Sequence, residues 1–361
     1  MKFKTDFVFI LLAILLIFVG GVASVLTSEK SSSVMKNSDV VKVGAIIPVE
    51  ASAQSKALLL GIELAKKDIA GFREGKNLPS VEVLVRDSKL DPELGRSIAE
   101  ELLSSGVGAI YSSHTVVTRA VTEVSKENNT PLFYDSCNCG FAEENSSAFQ
   151  MYFDPRKECR EISEDFYAKG VRKAGFIGQD VPYGEFCYGE VQEVFGKDNV
   201  FIELEEAGVL KNYGFLLSGW KREGVGVVLS IPAVQNFPFL FERNLTKEIN
   251  LPIACFEGAC LTEEIKSATP PEALANVIGF GFEIDPEFER LVLGEDSSFG
   301  RADVVASAVS HDAVMHAWYL GAECGNDTEC IRNSSRSATY PTAVKSRGFD
   351  DDNILIYESH R

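Results

Sequence analysis

Residues 81–136 read VEVLVRDSKLDPELGRSIAEELLSSGVGAIYSSHTVVTRAVTEVSKENNTPLFYDS, and they carry the clearest pattern of strands and helices in the chain. It opens with the apolar, β-branched run Val81–Val85, which has the length of a strand. Asp91 and Pro92 then follow in the order of a helix cap and a first helical position. The apolar residues of the predicted helix recur every four positions, at Leu94, Ile98 and Leu102. The stretch therefore begins as a strand followed by a helix.

The same pattern continues to the end of the stretch. Ser105-Gly106 ends the helix, and the apolar run Val107–Tyr111 predicts a second strand. After the polar turn Ser112–Thr115, apolar residues return at helical spacing, and Pro131–Tyr134 predicts a third strand. Two consecutive βαβ units require a parallel sheet with helices on its faces. Because ligands bind beyond the carboxyl ends of such strands, a ligand site is expected at Ser112–Thr115 and Asp135–Cys139.

The remaining sequence predicts more of the same α/β alternation. Further strands are predicted at Val41–Ile47, Lys173–Gly178, Val200–Leu204, Val225–Ile231, Leu251–Phe256 and Asn276–Phe282. Further helices are predicted at Leu58–Ile69, after the Asp154-Pro155 cap, and at Tyr183–Phe195, Tyr213–Arg222, Val234–Ile249, Asp285–Gly294 and Gly300–Cys324. Pro238 is a candidate kink, and the polar residues from Cys324 to Tyr340 predict a loop. The similar units in both halves suggest structural duplication, although no sequence repeat is visible.

Composition limits the classes of partner. The chain has 361 residues, 45% of them hydrophobic, which suffices for two lobes with separate cores. Its formal net charge is −18, and no cluster of Lys and Arg stands out. Nucleic acids and anionic lipid surfaces bind such clusters, so both are disfavoured as partners. The acidic balance indicates a soluble, solvated surface.

The amino-terminal segment predicts export. Phe7–Leu26 carries no charge, follows Lys2 and Lys4, and could span about 30 Å of hydrocarbon. Val22-Ala23-Ser24 resembles a signal-peptide cleavage site, whereas the length of the run and its polar continuation favour an uncleaved anchor with a tether. No cysteine directly follows the segment, so a lipid anchor at this end is not predicted. We expect an extracytoplasmic body, tethered to the cell membrane or secreted if the segment is cleaved.

Eight cysteines and five N-x-S/T sequons agree with an oxidising compartment. Two local disulfides are plausible, Cys324 with Cys330 and Cys255 with Cys260, while Cys159 and Cys187 fit small buried side chains about as well. The sequons predict a glycoprotein but also occur by chance; they lie at Asn128, Asn145, Asn244, Asn326 and Asn333.

The chain resembles the type I periplasmic binding proteins, the leucine/isoleucine/valine-binding family. The segments that carry the resemblance follow the order of that family: KVGAIIP (42–48), GIELAKKDI (61–69), RDSKLDPELGRSIAEELLSSGVGAIYSSHTVVTRAV (86–121), AGFIGQDVPYGE (174–185) and SAVSHDAVMHAWYLG (307–321). The resemblance implies an α/β fold of two doubly wound parallel-sheet lobes. It further implies a three-strand hinge with crossings near Asp154, Ile284 and Tyr340, and a long helix Gly300–Cys324 that packs on the first lobe.

The predicted organisation has four parts. Residues 1–26 are a signal peptide or membrane anchor, and 27–40 are a polar linker. Residues 41–154 plus 285–340 form lobe 1, and 155–284 plus 341–361 form lobe 2. Phe349-Asp350 matches the family's final element, but the glycines that usually precede it are missing.

The first lobe supplies one half of the predicted site. Ser113, His114 and Thr115 lie between a strand end and a helix start, where backbone N–H groups and the helix dipole favour an anion. In the alternative interpretation Ser113 or Thr115 is only an N-cap. The resemblance favours binding, since the matching loop in the family holds the α-carboxylate of amino acids. Ser136 and Asn138 border the same edge of the predicted sheet. Cys137 and Cys139 lie beside them, and disulfides are expected there rather than a metal site, because no histidine lies at the spacing of a metal ligand.

The second lobe supplies the other half. Tyr183 follows a strand and could lay its ring on an apolar ligand surface, or pack within its own loop. Glu257 follows the strand Leu251–Phe256, and a carboxylate there could bind an ammonium group, although a solvated loop glutamate is the commoner case. The resemblance favours both roles, because the family frequently places a binding aromatic residue at the matching Tyr-Gly and binds the α-amino group with an acidic residue in a matching Glu-Gly.

These features predict a solute-binding protein of an ABC importer that clasps an amino acid or related zwitterion, works as a monomer with membrane permease subunits, and uses no cofactor or metal. The alternative is a membrane-anchored sensing ectodomain with a signalling partner. An enzyme is not predicted, because the phosphate-binding, dinucleotide and nucleophile-elbow glycine motifs are missing. His311-Asp312 lies in a helix and is expected to pack or to face water.

Overall fold

The structure is a computed structural model, and it describes residues 39–50, 54–136, 140–152, 154–179, 182–205, 211–231, 236–246, 248–256, 260, 263–279, 281–325, 327–335, 342–344, 346–349, 355–357 and 359–360. The predicted amino-terminal segment and linker lie outside these residues. Within the described residues no helix has the length and apolar character needed to cross a bilayer.

The first sheet has five parallel strands. In chain order they are β1 (Val40–Ile47), β2 (Ser80–Asp87), β3 (Ala109–Ser112), β4 (Leu132–Tyr134) and β5 (Ala148–Gln150). They lie in the order β2-β1-β3-β4-β5, and Ile46 of β1 pairs with Ser112 of β3. The intervening helices are Ser55–Arg73, Pro92–Ser104, Thr115–Glu127 and Gly140–Glu144. The sequence did not predict the three-residue strand β5 or the short helix before it.

The second sheet is also parallel. Its strands are β6 (Ala174–Gln179), β7 (Val200–Glu205), β8 (Val227–Ile231), β9 (Ile253–Cys255) and β10 (Val277–Gly279), in the order β10-β9-β8-β6-β7. Its helices are Pro155–Ala168, Pro182–Phe195, Tyr213–Arg222, Phe237–Thr246 and Glu263–Ala268, with 3-10 turns at Lys197–Asn199 and Pro271–Leu274. Each sheet has a separate apolar core on each of its faces. The prediction of two parallel-sheet α/β lobes is confirmed.

The two sheets share one topology. In the first sheet the neighbouring strands are the second, first, third, fourth and fifth of that sheet, counted along the chain. The second sheet has the same order when it is read from β7 to β10. In such a sheet the strand order reverses between the first and third strands, and ligands bind beyond the carboxyl ends at that point. The corresponding positions are the ends of β1 and β3 in the first sheet and of β6 and β8 in the second.

The aspartate-proline pairs begin helices as predicted. The Asp91 carboxylate accepts the N–H groups of Glu93 and Leu94, and Pro92 is the first helical residue. Asp154 caps the helix Pro155–Ala168 in the same way, through the N–H of Arg156. A side-chain oxygen at this position satisfies donors that have no partner inside the helix, and proline loses nothing there because its nitrogen has no hydrogen.

The long helix Arg301–Cys324 packs on the first sheet and on the helix Ser55–Arg73, which confirms its predicted place. The Ser307 hydroxyl donates to the carbonyl of Ala57 at 2.8 Å, and the Trp318 indole N–H donates to the carbonyl of Pro79 at 3.0 Å. A Cβ atom at Gly61 would lie 2.0 Å from the carbonyl oxygen of Ser307. Only glycine therefore allows the two helices to come this close.

A buried carboxylate in the long helix holds a later segment of chain. Asp312 accepts the N–H of Ala343 at 2.6 Å and that of Val344 at 2.8 Å. Val344 in turn forms an antiparallel bridge with Ile284, just before the helix Pro286–Glu295. His311 and Asp312 thus pack, which was one of the two placements expected of them.

Three predicted elements need correction. The region from Cys324 to Tyr340 is not a loop throughout, because Thr328–Ser335 is a helix. The helix predicted from Val234 begins at Phe237, so Pro238 stands in its first turn, where proline is tolerated, and causes no kink. The strand predicted over Asn276–Phe282 is divided into β10 and β11 (Gly281–Phe282).

The tail forms two small antiparallel pairs. They join β11 with β14 (Ser359–His360), and β12 (Ser346–Phe349) with β13 (Leu355–Tyr357).

Three disulfides are formed by described cysteines. Cys255 is bonded to Cys260 and Cys324 to Cys330, as predicted. Cys159 is bonded to Cys187, so the interpretation of these two as small unpaired side chains is wrong. The third bond links two neighbouring helices, a tertiary contact that local spacing does not reveal. Cys137 and Cys139 lie outside the described residues.

Candidate functional site

The segment Ser113–Thr115, here called the ligand loop, follows β3 at the strand-order reversal of the first sheet. Two of its N–H groups, expected to be free, are already bonded. Ser113 donates its N–H to the carbonyl of Ile46 at 3.1 Å, and His114 donates its N–H to the Asp135 carboxylate at 3.2 Å. The expectation of free backbone donors is therefore wrong for these two residues.

Open donors lie one residue later, in the first turn of the helix Thr115–Glu127. Among the described residues no acceptor is found for the N–H groups of Thr115, Val116 and Val117, and the side chains of the first two are exposed. The helix N-cap is His114, and its side chain makes no capping bond. The alternative in which Ser113 or Thr115 serves only as N-cap is thus wrong. Unpaired amides and the positive end of the helix dipole favour an anionic group here.

The predicted hydroxyl groups of the first lobe lie beside this helix start. The Thr115 hydroxyl is 2.9 Å from that of Ser136, and the Ser113 hydroxyl is 2.8 Å from Nδ1 of His114. Ser113 and Ser136 are both buried, so their hydroxyls orient neighbouring side chains. Thr115, the exposed residue of the ligand loop, is best placed to meet a ligand. Asn138 lies outside the described residues.

A phenol–carboxylate pair below the ligand loop was not predicted. The Tyr111 hydroxyl, at the end of β3, donates to the Asp135 carboxylate at 2.7 Å. Burial raises the pKa of Asp135, although bonds from Tyr111, Ser113 and His114 oppose the rise. Burial, and then the charge of Asp135, raises the pKa of Tyr111 well above its usual value. The only sequence signal was the place of Asp135 directly after a strand.

The second lobe has a similar pair at the end of its edge strand. The carboxylate of Glu205, at the end of β7, accepts the Tyr213 hydroxyl on one oxygen and the Asn236 amide, at 3.0 Å, on the other. All three side chains are buried. Burial, followed by the bond to Glu205, raises the pKa of Tyr213 above its usual value. With its donors internal to the lobe, Glu205 ties the edge strand to the helices.

The predicted second-lobe site residues are only partly described. Tyr183 is the second residue of the helix Pro182–Phe195, which follows β6 at the strand-order reversal, and its side chain lies outside the described part. Glu257 lies outside the described residues, two positions after the end of β9. Among the residues that are described, no group of three His, Cys, Asp or Glu side chains could hold a metal ion.

Two of the five sequons are unsuited to carry a glycan on the folded protein. The Asn145 amide is buried and donates to the Ser125 hydroxyl at 3.0 Å. The Asn244 side chain is buried as well, and bonds both the N–H and the carbonyl of Leu251. Asn128 and Asn333 are exposed, and Asn326 lies outside the described residues. The prediction of a glycoprotein is not supported.

Two α/β lobes with this shared strand order define the class as a two-lobe binding fold of the type I periplasmic kind. Residues 40–197 match the sequence profile of the family described as periplasmic binding protein. The predicted resemblance to this family is confirmed over these residues. No curated protein sequence matches the chain significantly.

Solved structures show the same fold at low sequence identity. A protein from Rhodospirillum rubrum assigned to branched-chain amino acid ABC transport superposes with a TM-score of 0.73 and 14% identity, covering 89% of this chain and 96% of that one. LivJ of Streptococcus pneumoniae, solved in complex with isoleucine, gives a TM-score of 0.64 and 17% identity over 89% and 94% of the two chains.

A third solved structure carries a different ligand. A solute-binding protein from Rhodopseudomonas palustris BisB5, in complex with 3,4-dihydroxybenzoic acid, gives a TM-score of 0.64 and 15% identity over 89% of this chain and 92% of that one. The matched family is described as a binding protein, and the S. pneumoniae and R. palustris proteins as substrate- and solute-binding proteins, which agrees with the prediction that this chain is not an enzyme.

Proposed function

We propose that this protein is the extracytoplasmic solute-binding component of an ABC importer and clasps a small carboxylate-bearing ligand, an amino acid or related zwitterion, between its two lobes. The observation that carries the proposal is the helix start after the ligand loop. There the open N–H groups of Thr115, Val116 and Val117 meet the Thr115 hydroxyl at the strand-order reversal of the first sheet. The ligands of the similar structures, isoleucine and dihydroxybenzoic acid, share a carboxylate.

In the first lobe, the ligand carboxylate accepts bonds from the open amides and from Thr115. Ser113 and His114 support this arrangement through their mutual bond, and Ser136 orients the Thr115 hydroxyl. Asn138, which follows Ser136 by two positions, is proposed as a further donor. Several directed donors suit one carboxylate, since charge-assisted bonds contribute about 1.5–3 kcal/mol each.

In the second lobe, Tyr183 and Glu257 complete the proposed site. Both follow strands at their carboxyl ends, β6 for Tyr183 and β9 for Glu257. Tyr183 is assigned to the apolar surface of the ligand, and Glu257 to its ammonium group. Glu257 lies between Cys255 and Cys260, so the disulfide closes a short covalent ring that includes it. Such a ring lowers the entropy lost when the ligand is bound.

Ligand binding would shift a hinge equilibrium between the lobes. The proposed crossings lie near Asp154, Ile284 and Tyr340, and the bridge between Ile284 and Val344 supports a shared path for two of them. A ligand that touches both lobes only when they are closed stabilises that state by its difference in affinity. We further assign a membrane tether to Phe7–Leu26, permease subunits as partners, and a monomeric state.

Isothermal titration calorimetry tests the ligand class. The panel contains L-leucine, L-isoleucine, benzoate and 4-hydroxybenzoate, with leucinamide as the matched compound that lacks a carboxylate. We expect heat from at least one carboxylate and none from leucinamide, and loss of amino-acid binding in Glu257→Ala. Binding of benzoates alone, unchanged in Glu257→Ala, would remove the ammonium role. Absence of heat from every compound would refute the ligand class.

A second measurement separates transport from sensing. Cross-linking of the full-length chain in its native membranes, followed by mass spectrometry, should recover ABC permease subunits. Recovery of a kinase or chemoreceptor instead would favour the sensing ectodomain.

A further inference from the structure

Asp135 joins three parts of the first lobe that meet below the ligand loop. Its Oδ2 atom accepts the Tyr111 hydroxyl at 2.7 Å, and its Oδ1 atom accepts the His114 N–H at 3.2 Å. Tyr111 belongs to β3, His114 to the ligand loop, and Asp135 directly follows β4. Both carboxylate oxygens are thus bonded inside the lobe before any ligand is present.

His114 has a backbone conformation that requires such support. Its φ angle is 71°, a region that residues with a Cβ atom rarely adopt. A residue of this kind costs about 1–3 kcal/mol and persists only when its surroundings hold it. Two bonds do so here: the N–H donates to Asp135, and Nδ1 of the ring lies 2.8 Å from the Ser113 hydroxyl.

The direction of the open amides depends on this conformation. His114 is the residue directly before the helix, so its backbone angles determine how the first turn leaves β3. The N–H groups of Thr115, Val116 and Val117 belong to that turn. A change at His114 would rotate these donors and the Thr115 hydroxyl away from their present arrangement.

We propose that Asp135, oriented by Tyr111, is a positioning residue for ligand binding that holds His114 at positive φ and so aims the first helical turn at the ligand. The proposal rests on the proposed function, because it assigns that turn to the ligand carboxylate. Asp135 acts through His114. The pair has no signature in the local sequence pattern, since it joins residues 24 positions apart.

The test measures the effect of Asp135→Asn with three different residues at position 114. Asparagine keeps the shape of the side chain but has one acceptor oxygen where aspartate has two. Histidine and alanine both carry a Cβ atom and suffer the same strain at positive φ, whereas glycine does not. Any ligand contact made by the histidine ring is lost equally in His114→Ala and His114→Gly, so these two backgrounds isolate the backbone.

Binding is measured by calorimetry with the carboxylate of the panel that binds the unaltered protein. We expect Asp135→Asn to weaken affinity about tenfold with His or Ala at position 114, and less than about threefold with Gly. Tyr111→Phe should follow the same pattern with a smaller loss. An equal loss in the Gly background would show that Asp135 acts directly on the ligand and would overturn the proposal, as would unchanged affinity with His.

Hydrogen exchange of the unliganded protein gives a readout that needs no ligand. We expect Asp135→Asn to accelerate exchange of the His114 amide about tenfold relative to amides of β4. Glu205→Gln is the matched control, since it weakens the other phenol–carboxylate pair, and it should change neither this exchange rate nor affinity. Unchanged exchange in Asp135→Asn would overturn the proposal. If no carboxylate binds the unaltered protein, the ligand class fails while the exchange rates still decide the role of Asp135.

Discussion

Asp135 and Asp312 perform the same task at two places in the molecule, with different partners. Each carboxylate accepts backbone N–H groups of another segment: His114 of the ligand loop for Asp135, and Ala343 and Val344 for Asp312. Asp135 is partly buried and its side-chain partner is a neutral phenol. Asp312 is fully buried and its partner is His311, which lies 2.7 Å away.

Both environments raise a pKa, but a raised pKa favours the neutral form of Asp135 and the charged form of His311. At Asp135, burial outweighs the hydrogen bonds and raises the pKa of the carboxyl. At His311, burial alone would lower the pKa, but the carboxylates of Asp312 and Asp68 outweigh it and raise the pKa to about 9. His311 is thus held as a cation between two carboxylates at neutral pH. In this fold, a buried carboxylate that anchors the segment at Ala343 is thus balanced by a charged histidine, whereas the carboxylate that supports the strained ligand loop is bonded by neutral donors.

The largest expected effect comes from breaking the anchor at Asp312. Asp312→Asn replaces one acceptor by an amide donor that faces a backbone N–H or His311, so a buried donor loses its partner. We expect the free energy of unfolding to fall by about 3 kcal/mol, measured by urea denaturation at pH 7.

The matched control is Asp285→Asn. Asp285 also accepts two backbone N–H groups, from Glu287 and Phe288, but at a helix N-cap where asparagine serves about as well. In Asp285→Asn the free energy of unfolding should fall by less than about 0.5 kcal/mol. Equal losses in the two variants would contradict the special role of the buried anchor.

The second effect is a decline of stability at alkaline pH. The folded pKa of His311 is raised above its unfolded value of 6.5. The contribution of His311 to the free energy of unfolding is therefore complete below pH 6.5 and is lost as the pH rises through about 9. Between pH 7 and pH 10 the loss should be about 2.5 kcal/mol. Urea denaturation at both pH values measures it, and His311→Gln should remove this part of the decline.

The third effect sharpens the contrast within one helix. Burial, and then the charge of His311, lowers the pKa of His316 to about 3. A histidine with a lowered folded pKa destabilises the fold as the pH falls below its unfolded value, so stability should drop by about 2 kcal/mol from pH 7 to pH 5. His316→Gln should abolish that drop. If it does not, other groups determine the acid limit.

The smallest effect concerns the neutral partner. Tyr111→Phe removes one donor to Asp135 and should lower the free energy of unfolding by about 1 kcal/mol. Because the lost bond favours the charged carboxylate, we expect a larger loss at pH 8 than at pH 5. The reverse order would show that the pair is held with Asp135 protonated.

Most elements of the fold were predictable from the sequence because their signals are local. The caps at Asp91 and Asp154, the four-residue spacing of Ile98 and Leu102 and the alternation of strands and helices all depend on neighbours within a few positions. Elements with weak local signals were missed, such as β5 with three residues and the polar helix Thr328–Ser335.

The candidate site was predictable only in outline. The rule that ligands bind beyond strand ends led to Ser113, Thr115 and Ser136, and the structure brings these three together. The state of each N–H group was not predictable, since it depends on Ile46 and Asp135, which are distant in sequence. The roles of Asn138, Tyr183 and Glu257 stay predictions.

Local signals in the sequence predicted the two α/β halves, the strand ends that border the candidate site, and the disulfides between near neighbours, because periodicity, caps and short spacings act over a few residues. Three contacts depend instead on how the elements pack: Asp135 holds the strained His114, Asp312 holds the segment at Ala343, and Cys159 is bonded to Cys187. Such contacts join residues from different elements, and the energy that selects them arises when the elements pack and exclude water.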